Sequence, residues 1–176
     1  IRSPKQLTSR WLGPTGHRLP IIEIAEIYNK QLRTIHEKTK LEDKYVELAI
    51  LVATRESGGK GEWLDHVPDG NRLLGESVVD VVRNRRETKD LEEKQATIIK
   101  FGRELFNEPK VSSKTFADAE RLFGRNDTLI ISLLMAYYSQ SEVLSRAYDQ
   151  HTDTRPDCVR PHEGCDIGKK QISGTW

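Results

Sequence analysis

The stretch YVELAILVATRESGGKGEWLDH, from Tyr45 to His66, holds an apolar run, a glycine-rich break and a group of polar side chains. Apolar residues in its first half occupy more positions than one helix face can hold, which predicts a helix surrounded by others in a bundle. Gly58, Gly59 and Gly61 end that helix and permit a sharp turn. The stretch therefore predicts two neighbouring antiparallel helices, with the first one central in the fold.

Helical spacing continues on both sides of this stretch. Upstream, apolar residues recur three and four positions apart: Ile21, Ile24, Ile27, Tyr28, Leu32 and Ile35. Downstream, we expect Pro68 near the start of the third helix or kinking it, and Asn126 or Asp127 as the cap of the last helix. No segment alternates at strand spacing. The chain is therefore predicted to be all-α, a helical bundle of about six to seven helices.

Three regions follow from this pattern: an extended N-terminal arm at residues 1–19, a helical domain at 20–150 and an irregular tail at 151–176. The arm and the tail contain prolines and glycines without a helical period. Both cysteines, Cys158 and Cys165, lie in the tail, where free thiols are the default and a disulfide is the alternative. With His151 and His162 they match no standard zinc-finger spacing, so no metal is expected there.

The charge and hydropathy of the chain argue against two classes of function, nucleic-acid binding and membrane insertion. There are 28 Lys and Arg against 27 Asp and Glu, so the net charge of +1 lacks the basic excess typical of nucleic-acid binders. The longest apolar run, Leu129 to Tyr138, is shorter than the ~20 residues of a membrane span. We expect a cytoplasmic protein that binds neither nucleic acid nor membrane. Cys158, Cys165 and the Asn126 sequon keep a secreted protein open, and whether a targeting segment precedes Ile1 is also open.

The candidate site lies in the second half of the opening stretch. If the chain is helical from Glu62 onward, Glu62, Trp63 and His66 share one helix face. Glu47 lies inside the apolar run, where a buried carboxylate needs a partner. Because the two helices are neighbours, we expect Glu47 to contact His66. Such a pair is either a buried structural contact or an oriented general acid–base group, and the spacing alone leaves both open.

A metal site is a third interpretation of the same residues. Glu62 and His66 are four residues apart, which is a spacing that metal ligands use on a helix. Two ligands do not make a catalytic zinc site, which normally has three from the protein. We therefore expect no metal and no cofactor.

The order of these residues resembles the carboxymuconolactone decarboxylase family, which belongs to the all-helical alkylhydroperoxidase D-like superfamily. The resemblance rests on Glu47, on His66 nineteen residues later, and on the glycine turn and Glu62-Trp63 between them. It covers roughly residues 20–150, because FGRELFNEPKVSSKTFADAERLFG and LLMAYY also look like that family's second half. It implies an alkylhydroperoxidase D-like bundle that assembles as a homo-oligomer.

The peroxidase branch of that superfamily has a Cys-x-x-Cys pair between the glutamate and the histidine. This chain has Gly59 and Glu62 at those positions. Neither side chain forms a thiolate, so dithiol peroxidase chemistry lacks its nucleophile. The sequence therefore disfavours a dithiol alkylhydroperoxidase.

The decarboxylase branch implies a cofactor-independent lyase or isomerase. Its substrate would be a small unsaturated or enolisable carboxylic acid or lactone, in aromatic degradation or natural-product metabolism. We expect His66 to carry the proton, Glu47 to hold its tautomer or relay the proton, and Glu62 to act as a second base or polar clamp. Trp63 would form an apolar wall and Arg55 would bind a substrate carboxylate. The alternative is a non-catalytic helical oligomer that binds a small molecule or a partner protein.

Overall fold

The computed structural model describes residues 21–147, which fold into six α-helices without a β-strand. The helices are α1 Ile22–Lys38, α2 Asp43–Ser57, α3 Lys60–Leu74, α4 Glu76–Arg83, α5 Glu93–Asn107 and α6 Ser113–Ala147. This confirms the prediction of an all-α bundle. The proposed arm at 1–19 and tail at 151–176, with Cys158 and Cys165, lie outside the described residues.

Helix α2 is the centre of the bundle. It packs against α3, α4, α5 and α6, and every residue from Tyr45 to Thr54 is buried. A helix with apolar residues on all sides is stable only when other helices cover all of them. The central position expected from YVELAILVA is therefore present, and Glu47 is the one carboxylate within that buried run.

The turn between α2 and α3 depends on a glycine in the left-handed region. Gly58 has φ of 84° and ψ of 22°, a conformation that residues with a Cβ atom rarely adopt. The N–H groups of Gly58 and Gly59 both reach the carbonyl oxygen of Thr54, which closes the end of α2. Because α3 begins at Lys60, the two helices pack side by side as expected.

Helix α5 approaches α2 and α6 closely at Gly102. A Cβ atom at this position would lie 2.3 Å from Cγ1 of Val52 and 3.0 Å from Cε of Met135. Atoms cannot approach so closely without a shift in the core, so the three-helix contact requires the absence of a side chain here.

Of the two alternatives for Pro68, a place near the start of α3 is wrong, because the helix begins at Lys60 and continues past Pro68 to Leu74. A kink at Pro68 stays a prediction. A proline inside a helix leaves the carbonyl four residues earlier, here that of Leu64, without its intrahelical donor. Leu64 and Pro68 are both exposed, so water can satisfy that carbonyl. The proline is therefore tolerated in the helix interior.

The capping role predicted for Asn126 or Asp127 is also wrong. Helix α6 breaks only at Gly124, where φ is 76° and ψ is 166°. The Asp127 carboxylate instead accepts hydrogen bonds from the backbone N–H of Lys40 at 3.1 Å and the hydroxyl of Thr39 at 3.2 Å. These donors lie in the α1–α2 loop, so Asp127 joins that loop to α6. Sequence periodicity does not reveal such a contact between distant segments.

Helix α1 is attached to α6 through Tyr28. Its hydroxyl donates to the carbonyl oxygen of Tyr137 at 2.6 Å and lies 3.0 Å from Oγ of Ser141, and its ring stacks on that of Tyr137 with centroids 3.9 Å apart. Four isoleucines at the N-terminal end of this helix remain exposed: Ile21, Ile22, Ile24 and Ile27. Within residues 21–147, no helix combines the length and apolar character needed to cross a membrane.

Candidate active site

Glu47 and His66 form a hydrogen-bonded pair between α2 and α3. Oε1 of Glu47 lies 2.8 Å from Nδ1 of His66, so the contact expected from the sequence is present. The Gly58–Gly59 turn produces it, because it lays the first half of α3 against α2. The two side chains are 10% and 21% exposed respectively. The carboxylate is thus nearly buried, while the imidazole retains access to solvent.

This hydrogen bond determines the tautomer of His66. A carboxylate only accepts, so Nδ1 carries the proton and donates it to Glu47. Nε2 makes no hydrogen bond to any residue in the described range 21–147. The histidine is therefore held by one nitrogen while the other is free to exchange a proton with a bound molecule.

The pKa of His66 is raised above its ordinary value. Burial of the imidazole lowers it, but the hydrogen bond and charge of Glu47, together with the charges of Glu62 and Asp65, outweigh that effect. The sequence placed Asp65 away from this face, yet its charge still acts on the neighbouring imidazole. The surroundings of His66 therefore favour the imidazolium form.

Tyr138 on α6 completes the contacts of His66 and was not a site residue in the sequence analysis. Its ring meets the imidazole edge to face, with centroids 5.1 Å apart and planes at 89°. It is only 7% exposed, and its burial, followed by the charges of Glu62 and Glu47, raises the pKa of its hydroxyl. The phenol therefore stays protonated at neutral pH. The run LLMAYY indicated burial of this tyrosine, but nothing in the sequence placed it beside a histidine so distant in the chain.

Glu62 lies in the first turn of α3, as the sequence analysis assumed. Its charge raises the pKa of both His66 and Tyr138, which places it in the electrostatic surroundings of the pair. Within residues 21–147, no group of three or more His, Cys, Asp or Glu side chains is arranged to hold a metal ion. The roles of Glu62, Glu47 and His66 in proton transfer stay predictions.

Trp63 belongs to the hydrophobic core and is 3% exposed. The guanidinium of Arg83 lies over its ring, with the carbon 5.9 Å from the ring centroid. So little of the indole is accessible that its main role in the structure is to pack α3 against the bundle. Its role as an apolar wall of a substrate site stays a prediction.

Arg55 is directed toward the end of α4. Its Nε donates a 2.7 Å hydrogen bond to the carbonyl oxygen of Arg83, the last residue of that helix. Arg55 and Glu47 are eight residues apart on α2, which is about 12 Å along the helix axis. The structure therefore gives Arg55 a contact with the end of α4, and its binding of a substrate carboxylate stays a prediction.

No protein-family model matches the chain, and no curated protein sequence matches it.

Proposed function

We propose that this protein is a cofactor-independent general acid–base enzyme, a lyase or isomerase, that acts on a small unsaturated or enolisable carboxylic acid or lactone. The observation that carries the proposal is the state of His66. Its Nδ1 is held by Glu47 at 2.8 Å, while its Nε2 has no partner within the described part of the chain. This is the arrangement a histidine needs to take up and release a proton at one defined atom.

In the isomerase direction, Nε2 removes a proton from the carbon next to a carbonyl group, and Glu47 stabilises the imidazolium that forms. The proton then returns to a different carbon of the conjugated system. In the decarboxylase direction, loss of carbon dioxide leaves an electron pair delocalised onto the carbonyl, and the imidazolium protonates the carbon. Glu62 is a second carboxylate whose charge acts on His66, and it serves as a polar clamp or second base.

The resemblance to the carboxymuconolactone decarboxylase family supports this proposal, and with it an alkylhydroperoxidase D-like arrangement of the helices. Gly59 and Glu62 stand where the peroxidase branch has its two cysteines. The proton chemistry of His66 needs no thiol, so this substitution is compatible with the proposed reaction.

The test is proton exchange with carbon in heavy water. Candidate unsaturated acids and lactones are incubated with the protein, and carbon-bound deuterium and released carbon dioxide are followed by NMR spectroscopy and mass spectrometry. Deuterium without carbon dioxide identifies an isomerase, and both together identify a decarboxylase. His66→Gln is expected to lower the rate by about 10²- to 10⁴-fold.

The matched control is His36→Gln, because His36 lies on the exposed surface of α1. This variant is expected to keep the wild-type rate. If His66→Gln and wild type exchange deuterium equally, the proposed function is wrong. If no turnover occurs and His66→Gln changes only stability or ligand binding, the non-catalytic oligomer is the better description.

We also infer that the protein assembles as a homo-oligomer, which is supported by the exposed isoleucines of α1. Adjacent exposed apolar side chains are unusual on a monomer and are typical of contact surfaces. Ile24→Glu with Ile27→Glu is expected to lower the molar mass measured by light scattering. Leu129→Glu is the control because Leu129 is an exposed side chain on α6. An unchanged mass in the double variant would place the interface elsewhere.

A further inference from the structure

Two polar atoms on the rings that meet at the candidate active site make no hydrogen bond to residues 21–147: Nε2 of His66 and the hydroxyl of Tyr138. Although Tyr138 is only 7% exposed, its hydroxyl reaches the surface, because Oγ of Ser57 is the buried side-chain polar atom without a partner in this range. Tyr28, in the same aromatic cluster, bonds both a carbonyl and a hydroxyl. The hydroxyl of Tyr138 is therefore accessible to a bound molecule, and it belongs to the ring that touches His66.

The proton state of Tyr138 makes its hydroxyl a hydrogen-bond donor. Burial raises the pKa of this phenol most, and the charges of Glu62 and Glu47 raise it further. The hydroxyl therefore keeps its proton at neutral pH. A protonated phenol with a free O–H can donate to a carbonyl oxygen and can stabilise negative charge that develops there.

The charges around His66 also restrict the substrate. The carboxylates of Glu47, Glu62 and Asp65 all lie close enough to raise the pKa of the imidazole. Once His66 is neutral, the nearly buried carboxylate of Glu47, 2.8 Å from Nδ1, places negative charge beside the imidazole, which repels a substrate carboxylate. A neutral molecule avoids that repulsion, and proton transfer from it to His66 creates an imidazolium that the same carboxylates stabilise.

We propose that the Tyr138 hydroxyl donates a hydrogen bond to the carbonyl oxygen of a neutral enolisable substrate, an unsaturated lactone or ketone, while Nε2 of His66 exchanges the proton at carbon. This inference rests on the proposed function and narrows its substrate class. Nε2 takes the proton from the carbon next to the carbonyl, and the C–H electron pair forms a carbon–carbon double bond. The carbonyl π pair moves to oxygen, and the hydrogen bond from the Tyr138 hydroxyl stabilises the negative charge there. The proton returns at the conjugated carbon, so the step balances without an oxidant or reductant.

The experiment uses the full chain with isotope-labelled histidine and tyrosine. The neutral probe is γ-crotonolactone and the anionic probe of similar size is furoate, each titrated while the ring signals of His66 and Tyr138 are followed by NMR. The lactone is expected to shift both rings and to bind more tightly than furoate. Tyr138→Phe is expected to weaken lactone binding about two- to tenfold, the effect of losing one neutral hydrogen bond.

Tyr45→Phe is the matched control, because the Tyr45 hydroxyl bonds Glu92 away from His66. It is expected to bind the lactone like wild type. Tyr138→Phe removes a hydroxyl that has no partner in the described structure, so its unfolding midpoint is expected to match that of wild type. With a substrate found in heavy water, Tyr138→Phe should also lower kcat by about 10²-fold or more with little change in the pKa of His66.

Three results would overturn the inference: no response of the wild-type rings to γ-crotonolactone, equal lactone affinity in Tyr138→Phe and wild type, or tighter binding of furoate than of the lactone. A different measurement would contradict the proposed function: equal deuterium exchange in His66→Gln and wild type. Loss of exchange in His66→Gln together with unchanged lactone binding in Tyr138→Phe would retain the function and reject the role of Tyr138.

Discussion

Oε1 of Glu47, in the most buried helix of the protein, lies 2.8 Å from Nδ1 of His66 on the following helix. A carboxylate inside an apolar helix is costly unless it has a partner, and here the partner is an imidazole that still reaches solvent. The contact stabilises the imidazolium and leaves Nε2 available. The contact thus gives the buried carboxylate a hydrogen-bond partner, and it makes His66 a candidate for proton transfer.

Replacing Glu47 by Gln is expected to lower the pKa of His66, which NMR titration of the imidazole measures. The amide oxygen can still accept from Nδ1, but the negative charge that favours the imidazolium is lost, while burial continues to lower the pKa. Asp65→Asn is the control on the same helix as His66. It should lower the pKa less, because Asp65 acts only through its charge. An unchanged pKa in Glu47→Gln would contradict this account.

The contribution of His66 to stability is expected to fall as the pH rises. Its folded-state pKa lies above the ordinary ~6.5 of the unfolded chain, so its protonation stabilises the fold fully below about 6.5. That contribution is lost as the pH rises through the folded-state pKa. Glu47 from α2, Glu62 and Asp65 from α3 and the neutral Tyr138 from α6 face the imidazole in this window.

The measurement is urea unfolding of wild type and His66→Gln at a series of pH values, with His36→Gln as the control. The difference in free energy of unfolding between wild type and His66→Gln should shrink with rising pH. The difference for His36→Gln should not follow that course. A difference that grows with pH would mean that folding lowers the pKa of His66.

Gly102→Ala is expected to destabilise the protein by about 1–3 kcal/mol, because its Cβ would overlap Cγ1 of Val52. The better helix propensity of alanine offsets up to about 1 kcal/mol of this. A double-mutant cycle with Val52→Ala separates the two effects. In the Val52→Ala background, Gly102→Ala should be neutral or stabilising by urea unfolding. An equal cost in both backgrounds would show that the close contact is not the cause.

Tyr28→Phe is expected to lower the free energy of unfolding by about 1 kcal/mol, because it removes the hydroxyl that joins α1 to Tyr137 and Ser141 on α6. The stacked ring remains, so α1 should stay folded. Amide hydrogen exchange is expected to speed up chiefly in α1. Exchange that rises equally in α2 would instead indicate that Tyr28 supports the whole bundle.

Much of the helical arrangement was accessible from the sequence, for reasons that are local. The run from Tyr45 to Thr54 has too many apolar residues for one face, which requires a central helix, and Gly58 allows the reversal after it. Because α3 follows α2 directly and packs against it, a partner of Glu47 was expected on α3. The pair with His66 followed from that proximity.

The predictions that failed were made from local sequence rules. At those positions a contact with a distant residue or with solvent decides the structure. In an isolated helix, Asp127 would act as the cap. In the folded protein, its carboxylate instead accepts a hydrogen bond from the backbone N–H of Lys40 in the α1–α2 loop. Pro68 lies inside α3 rather than near its start, because water can bond the exposed carbonyl of Leu64 that the proline leaves without a donor.

By itself, the sequence determined the helical class, the central helix, the turn at Gly58 and the pairing of Glu47 with His66. These depend on periodicity, on glycine's conformational freedom and on the cost of an unpaired buried charge, all of which act over short stretches of chain. Only the tertiary structure decided that Tyr138 lies against His66 and that Gly102 meets Val52. Those contacts join segments far apart in the chain, and they depend on how side chains from separate helices fill one volume, which no local pattern specifies.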